Sequence, residues 1–208
     1  MELSELTVAS FANLLGSDAP APGGGSAAAL EGSLGAALTA MVSALTLGRK
    51  KYADYQDLAQ DHFEKAGALK EKFLVAMEKD TEAFNVFGDA MAMPKTTDEE
   101  KAARTAAMQS ALAACIESPL HVMELCLEAV RLTSDLLGKS NANAMSDLGV
   151  SALSLVAAVK GAWLNVLINL GGLKDQEAAA AYRTRGQELL EDVCALGDEI
   201  YRSIEAAL

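Results

Sequence analysis

The run from Ser26 to Gly48 carries a single charged residue, Glu31. A stretch of that length is long enough to cross a bilayer as a helix. Gly32, Ser33, Gly35, Thr39, Ser43 and Thr46 nevertheless make it a weak hydrophobe, which argues against a membrane span. Ala28, Gly32, Gly35 and Ala36 would let a neighbouring backbone approach closely, so a buried central helix is the better reading. The rest of the chain must then supply helices to surround it. Its 51% hydrophobic content includes only 5% aromatic residues, and an Ala/Leu-rich composition favours helices over strands. No segment alternates with a period of two, and no internal repeat is visible. The expectation is an all-α multihelical bundle, with residues 1–208 as a single domain.

The other helices have local signals. Thr7 is a candidate cap for a short amphipathic helix ending before Gly16. Residues 55–90 form a long helix whose buried stripe runs Ala66, Leu69, Phe73, Ala76, Asp80, Ala83 and Phe87. Asp80 breaks that stripe in its middle. Met93-Pro94 ends the helix, and Thr97-Asp98-Glu99-Glu100 has the form of a capping box. The following helix is expected to be interrupted at Pro119 and to resume as far as Gly138. After a break at Ser140–Asn143, a second charge-poor helix extends to Asn169 or Leu170. Asp175 caps a final amphipathic helix.

A net charge of −12 argues against nucleic acid or an anionic membrane as partner. Cys115, Cys126 and Cys194 form no CxxC pair and read as reduced packing residues of a cytoplasmic protein. The first residues lack the basic and apolar regions of a secretory signal. His62 and His121, the only histidines, have neither di-iron nor zinc-ligand spacing, so no metal site is expected. Gly23, Gly25 and Ala28 satisfy GxGxxA, but no strand precedes them as a dinucleotide site requires.

Three stretches remain as candidates for chemistry. In Pro22-Gly23-Gly24-Gly25-Ser26, three residues lack a Cβ and Ser26 is placed to cap the central helix. Backbone N–H groups would converge there on an anion or carbonyl; a tight corner between two helices is the other reading. In the second charge-poor helix, Asn143, Asp147, Ser151, Ser154, Ala158, Gly161, Asn165 and Asn169 form a small or polar stripe without Lys, Arg or Glu. It suits either a helix–helix seam or a polar ligand groove. Asp147 favours the groove, because an unpartnered charge is costly in a dry seam. Arg49-Lys50-Lys51-Tyr52 follows the central helix and either complements its dipole or receives a carboxylate ligand.

Taken in order, the PGGGSAAA turn, Gly48–Tyr52, Asp80 with Ala83-Phe84, Met93-Pro94-Lys95, Pro119, Asn141–Val150, Asn165-Val166 and Ile168-Asn169-Leu170 carry a resemblance. Together they resemble the formiminotetrahydrofolate cyclodeaminase/methenyltetrahydrofolate cyclohydrolase family over nearly the whole chain. The resemblance implies an all-helical homodimer acting on a tetrahydrofolate one-carbon substrate, with no metal and no prosthetic group. Ser140 stands where many relatives have glycine.

Both family reactions concern the carbon bridging N5 and N10. The hydrolase opens 5,10-methenyltetrahydrofolate with water to give 10-formyltetrahydrofolate. The deaminase closes the same ring from the 5-formimino compound and releases ammonia. Either requires proton transfer around a tetrahedral centre. On this resemblance one of Asp147 and Asp80 transfers protons and the other binds the pterin, with Asp147 preferred for the proton and the reverse division as the alternative; Lys50 is assigned to polarising the water or the formyl oxygen. Arg49 and Lys51 would meet the glutamate carboxylates. Gly23, Gly24, Gly25, Ser26, Tyr52, Phe84, Asn143, Asn165 and Asn169 would complete the substrate contacts. The competing readings are a non-enzymatic helical dimerisation module and an amidine hydrolase with a non-folate substrate.

Overall fold

The computed structural model describes residues 2–208. Among them are six α-helices and no strand: α1 (Val8–Leu15), α2 (Gly24–Thr46), α3 (Gln56–Ala92), α4 (Asp98–Asp135), α5 (Met145–Leu170) and α6 (Gln176–Glu205). Short 3₁₀ turns at Leu3–Glu5, Lys50–Tyr55 and Ala142–Ala144 complete the regular structure. Three of the four caps read from sequence are formed. Thr7 Oγ1 accepts from the Ser10 amide, Asp175 accepts from the Ala178 amide, and Thr97 and Glu100 close a reciprocal capping box.

Helix α2 is the central element, packed between α3 and α5 with α4 behind it. Small residues make this possible. A Cβ on Gly32 would sit 2.7 Å from Phe73 Cδ1, so only glycine admits the Phe73 ring at that crossing. Phe73 is fully buried there, and truncating such a ring to alanine costs about 3–5 kcal/mol. Helices α2 and α5 run antiparallel. Gly24 lies beside Asn165, Ala28 beside Gly161 and Gly35 beside Leu155, while Thr46 accepts from the Asn141 amide at the far end. Midway, the hydroxyls of Thr39, Thr133 and Ser151 bond to one another at 2.7–3.3 Å, tying α2, α4 and α5 together. Ser151 and Ala158 are buried, so the middle of the polar α5 stripe is a helix seam. By length and composition, Gly24–Thr46, Asp98–Asp135 and Ala142–Leu170 are apolar enough to cross a membrane; here all three build the core of the bundle.

Two local expectations are corrected. Ser26 is not the cap of α2: Gly23 occupies that position without a side-chain hydrogen bond, and Ser26 lies inside the first turn. Its hydroxyl instead reaches across to α3. Helix α4 also continues through Pro119 without interruption. A proline there deprives the carbonyl four residues earlier, that of Cys115, of its helical donor. Asn169 Nδ2 donates to this carbonyl at 3.1 Å from α5, so tertiary packing satisfies what the helix leaves open.

Candidate active site

The start of α2, the second half of α3, the middle of α4 and the end of α5 enclose a cleft of about 300 Å³. Its carboxylate is Asp80. The Ser26 hydroxyl reaches Asp80 Oδ2 at 3.0 Å, the Met77 carbonyl at 3.2 Å and Thr81 Oγ1 at 3.1 Å. The end of the glycine turn therefore serves the carboxylate more than the helix cap. A Cβ on Gly25 would lie 2.5 Å from Asp80 Cγ. Gly25 has no left-handed backbone angle; close approach is what demands glycine here.

Burial pushes the Asp80 carboxyl above the usual carboxylate range, opposed only in part by the Ser26 hydroxyl and amide. No Lys, Arg or His of the described chain pairs with it. A carboxyl shifted upward in this way is a stronger base than an ordinary carboxylate, which suits it to taking and returning a proton.

The opposite wall supplies acceptors. Asn165 Nδ2 donates to the Gly161 carbonyl at 2.9 Å. Asn169 Nδ2 spends both hydrogens, on the Asn165 and Cys115 carbonyls. These bonds orient each side chain and leave each Oδ1 without a donor among the described residues. Phe84 and Phe87 add flat apolar surface. The cleft thus pairs an aromatic wall with a carboxylate and two amide oxygens, a set matched to a flat heterocycle with several N–H donors. Among the described residues, no group of His, Cys, Asp and Glu is arranged to hold a metal ion.

Gly23, Gly24, Gly25, Asp80, Phe84, Asn165 and Asn169 line this cleft, and Ser26 supports it. Arg49, Lys50, Lys51, Tyr52, Asn143 and Asp147 lie at the other end of the α2–α5 pair. Asp147 is eighteen residues from Asn165 on one helix, about 27 Å along the axis at 1.5 Å per residue. Within one chain the two groups do not meet. Arg49, Lys50 and Lys51 are exposed, and Arg49 Nε caps the Leu45 carbonyl at 2.7 Å. Tyr52 is buried, its hydroxyl accepting from the Ala142 amide at 2.9 Å. Asn143 is exposed and Asp147 partly so.

Sequence reading missed Pro20, Ala21, Thr81, Phe87, Cys115 and Ile168 as lining residues. Phe87 was visible as part of the α3 stripe, and Thr81 adjoins Asp80. Cys115 had no signal of its own, since its place depends on how α4 passes α3.

Residues 7–188 match the model of the formiminotransferase-cyclodeaminase family. The chain belongs to this family. It is 39% identical over 200 residues to a methenyltetrahydrofolate cyclohydrolase of Methylorubrum extorquens, covering 96% of each chain. It is 31% identical to the formimidoyltransferase-cyclodeaminase of Rattus norvegicus over 98% of its own length but only 38% of that longer protein. The crystal structure of formiminotetrahydrofolate cyclodeaminase from Thermotoga maritima superposes with a TM-score of 0.82 at 25% identity, covering 99% of this chain and 96% of that one. The family match spans the cleft residues and the distant cationic cluster alike.

Proposed function

We propose that the protein is a folate one-carbon enzyme that hydrolyses 5,10-methenyltetrahydrofolate to 10-formyltetrahydrofolate at the Asp80 cleft. The observation that carries the chemistry is a carboxyl raised by burial, held by Ser26 at the base of an aromatic and amide-lined cleft. End-to-end similarity to the Methylorubrum cyclohydrolase supports the hydrolytic direction. Formation of the methenyl compound from 5-formiminotetrahydrofolate, with loss of ammonia, is the second reading, favoured by the Thermotoga structural likeness. Both reactions make the same demands on the site.

Proton transfer is assigned to Asp80 rather than Asp147, since Asp80 is the carboxyl inside the cleft. Water attacks the cationic amidine carbon while Asp80 takes its proton. Asp80 then returns that proton to N5 as the C–N5 bond breaks. The hydroxyl proton of the intermediate leaves to solvent as the formyl carbonyl forms, so one water is consumed and one proton released. The free oxygens of Asn165 and Asn169 accept from the pterin's N–H edge, and Phe84 and Phe87 cover its face. The exposed apolar faces of α2 and α5 support a homodimer.

Replacing Asp80 with Asn tests the assignment. The amide retains size and can still accept from Ser26, but it takes no proton. Turnover is expected to fall about 10²–10⁴-fold with substrate affinity changed far less. Wild-type turnover in Asp80→Asn would remove Asp80 from the mechanism.

A further inference from the structure

The Ser26 hydroxyl has a single hydrogen and more than one place to put it. Asp80 Oδ2 stands at 3.0 Å, Thr81 Oγ1 at 3.1 Å and the Met77 carbonyl at 3.2 Å. Ser26 is fully buried, so its hydrogen must be satisfied inside the protein in every protonation state of its neighbour. A hydroxyl hydrogen swings about the C–O bond without moving a heavy atom. The Met77 carbonyl takes the Thr81 amide within α3 and keeps a second lone pair for Ser26. Thr81 Oγ1 bonds to nothing but Ser26 among the described residues, so it is placed to donate to the Ser26 oxygen.

These distances allow two arrangements with the same heavy-atom positions. While Asp80 is ionised, its charged oxygen is the strongest acceptor in reach. Ser26 then donates to Oδ2 and accepts from Thr81. Once Asp80 carries a proton, Oδ2 is neutral and the Ser26 hydrogen turns to the Met77 carbonyl. Neither arrangement leaves a buried hydroxyl without a partner.

We propose that Ser26 and Thr81 are positioning residues that form a two-hydroxyl chain ending on Asp80 Oδ2, with the Ser26 hydrogen directed to the carboxylate while it is ionised and to the Met77 carbonyl once it is protonated. The chain holds the carboxyl through Oδ2 and leaves Oδ1 to exchange protons with the substrate. It also lets the charge on Asp80 come and go by a hydrogen rotation alone, so little reorganisation accompanies proton transfer. Cys115 of α4 is the other titratable group lining the cleft, and α2 and α5 contribute none. Burial, with Asp80 beside it, pushes the Cys115 thiol up, which keeps it neutral while Asp80 titrates. The catalytic consequence rests on the reading of Asp80 as the proton-transfer group; the chain itself rests on the distances.

Carboxyl-carbon NMR on protein with isotope-labelled aspartate tests the chain directly, the Asp80 signal being the one lost in Asp80→Asn. In Ser26→Ala the Asp80 titration is expected about 1–2 pH units above that of wild type, the difference a hydrogen bond to a charged group makes. Thr81→Val acts only through Ser26, so it shifts the titration the same way by less. The double variant Ser26→Ala/Thr81→Val then titrates with Ser26→Ala. A labelled Met77 carbonyl is expected to follow the Asp80 titration in wild type and to lose most of that movement in Ser26→Ala. An unshifted titration in either single variant overturns the proposal, as does a double variant shifted beyond Ser26→Ala or a wild-type Met77 carbonyl that ignores the titration. With 5,10-methenyltetrahydrofolate, the acidic limb of kcat/KM is expected to move up in pH with the NMR titration; a Ser26 that merely supports the fold would lower the rate at every pH and leave the limb in place. If wild type converts neither folate, the functional reading fails and the titrations alone decide the chain.

Discussion

Substituting Gly25 with alanine isolates the contact on which the site geometry depends. The added Cβ would stand 2.5 Å from Asp80 Cγ, whereas carbon–carbon contacts settle at about 3.5–4.0 Å. Asp80 must therefore retreat by about 1 Å, leaving its hydrogen bond with Ser26. Misplacing a reacting group by that distance costs about 10²-fold in rate, or about 2.7 kcal/mol of transition-state stabilisation. Stability responds less. Overpacking costs about 1–3 kcal/mol, while alanine in place of glycine in a helix returns about 1 kcal/mol. The net loss is then about 0–2 kcal/mol. A Cβ on Gly67 in α3 would meet nothing within 4 Å, so Gly67→Ala is the control: it gains about 1 kcal/mol with unchanged turnover. Thermal unfolding and initial rates on both proteins measure the two quantities. Wild-type turnover in Gly25→Ala would refute the claim that this glycine exists to admit Asp80.

Because burial raises the folded pKa of Asp80, the native state binds more protons than the unfolded chain between the two pKa values. The contribution of Asp80 is thus greatest at low pH and declines as pH rises through the folded pKa. Asp80→Asn removes that decline, so its urea-unfolding free energy should gain on wild type from acidic to neutral buffer; a constant difference would contradict the burial argument. Pro119→Ala restores a helical donor to the Cys115 carbonyl and competes with Asn169 for it. It is expected to stabilise α4 by roughly 1–3 kcal/mol while weakening substrate affinity several-fold, and unchanged KM would show that Asn169 needs no such anchor. Thr97→Ala deletes the capping-box oxygen far from the cleft and should cost about 1 kcal/mol in thermal unfolding without altering turnover.

The parts of this fold legible in the sequence are those decided within a few residues. Thr7, Thr97 with Glu100, and Asp175 cap helices as their spacing implies, because a cap is satisfied by its own first turn. The small residues of α2 likewise announced a close-packed central helix. Ser26 was misread because a Ser before an Ala-rich run looks like a cap, while its actual partner lies 54 positions away on α3. Pro119 was misread for the same reason: its cost is met by Asn169, which no local pattern links to Cys115. Asp80 stood out as a charge in an apolar stripe, and it does line the cleft. That Asp147 and Lys50 share one end of the molecule, away from Asp80, follows from the antiparallel α2–α5 packing, which has no signature in either helix alone.

The most direct measurement of the central claim is the near-ultraviolet absorbance of 5,10-methenyltetrahydrofolate incubated with the wild-type protein, in parallel with 5-formiminotetrahydrofolate. Enzyme-dependent loss of the methenyl band in the first reaction, with 10-formyltetrahydrofolate as product, is the predicted result. A methenyl band that decays no faster than in buffer, with or without ammonia release in the second reaction, would contradict the hydrolytic assignment.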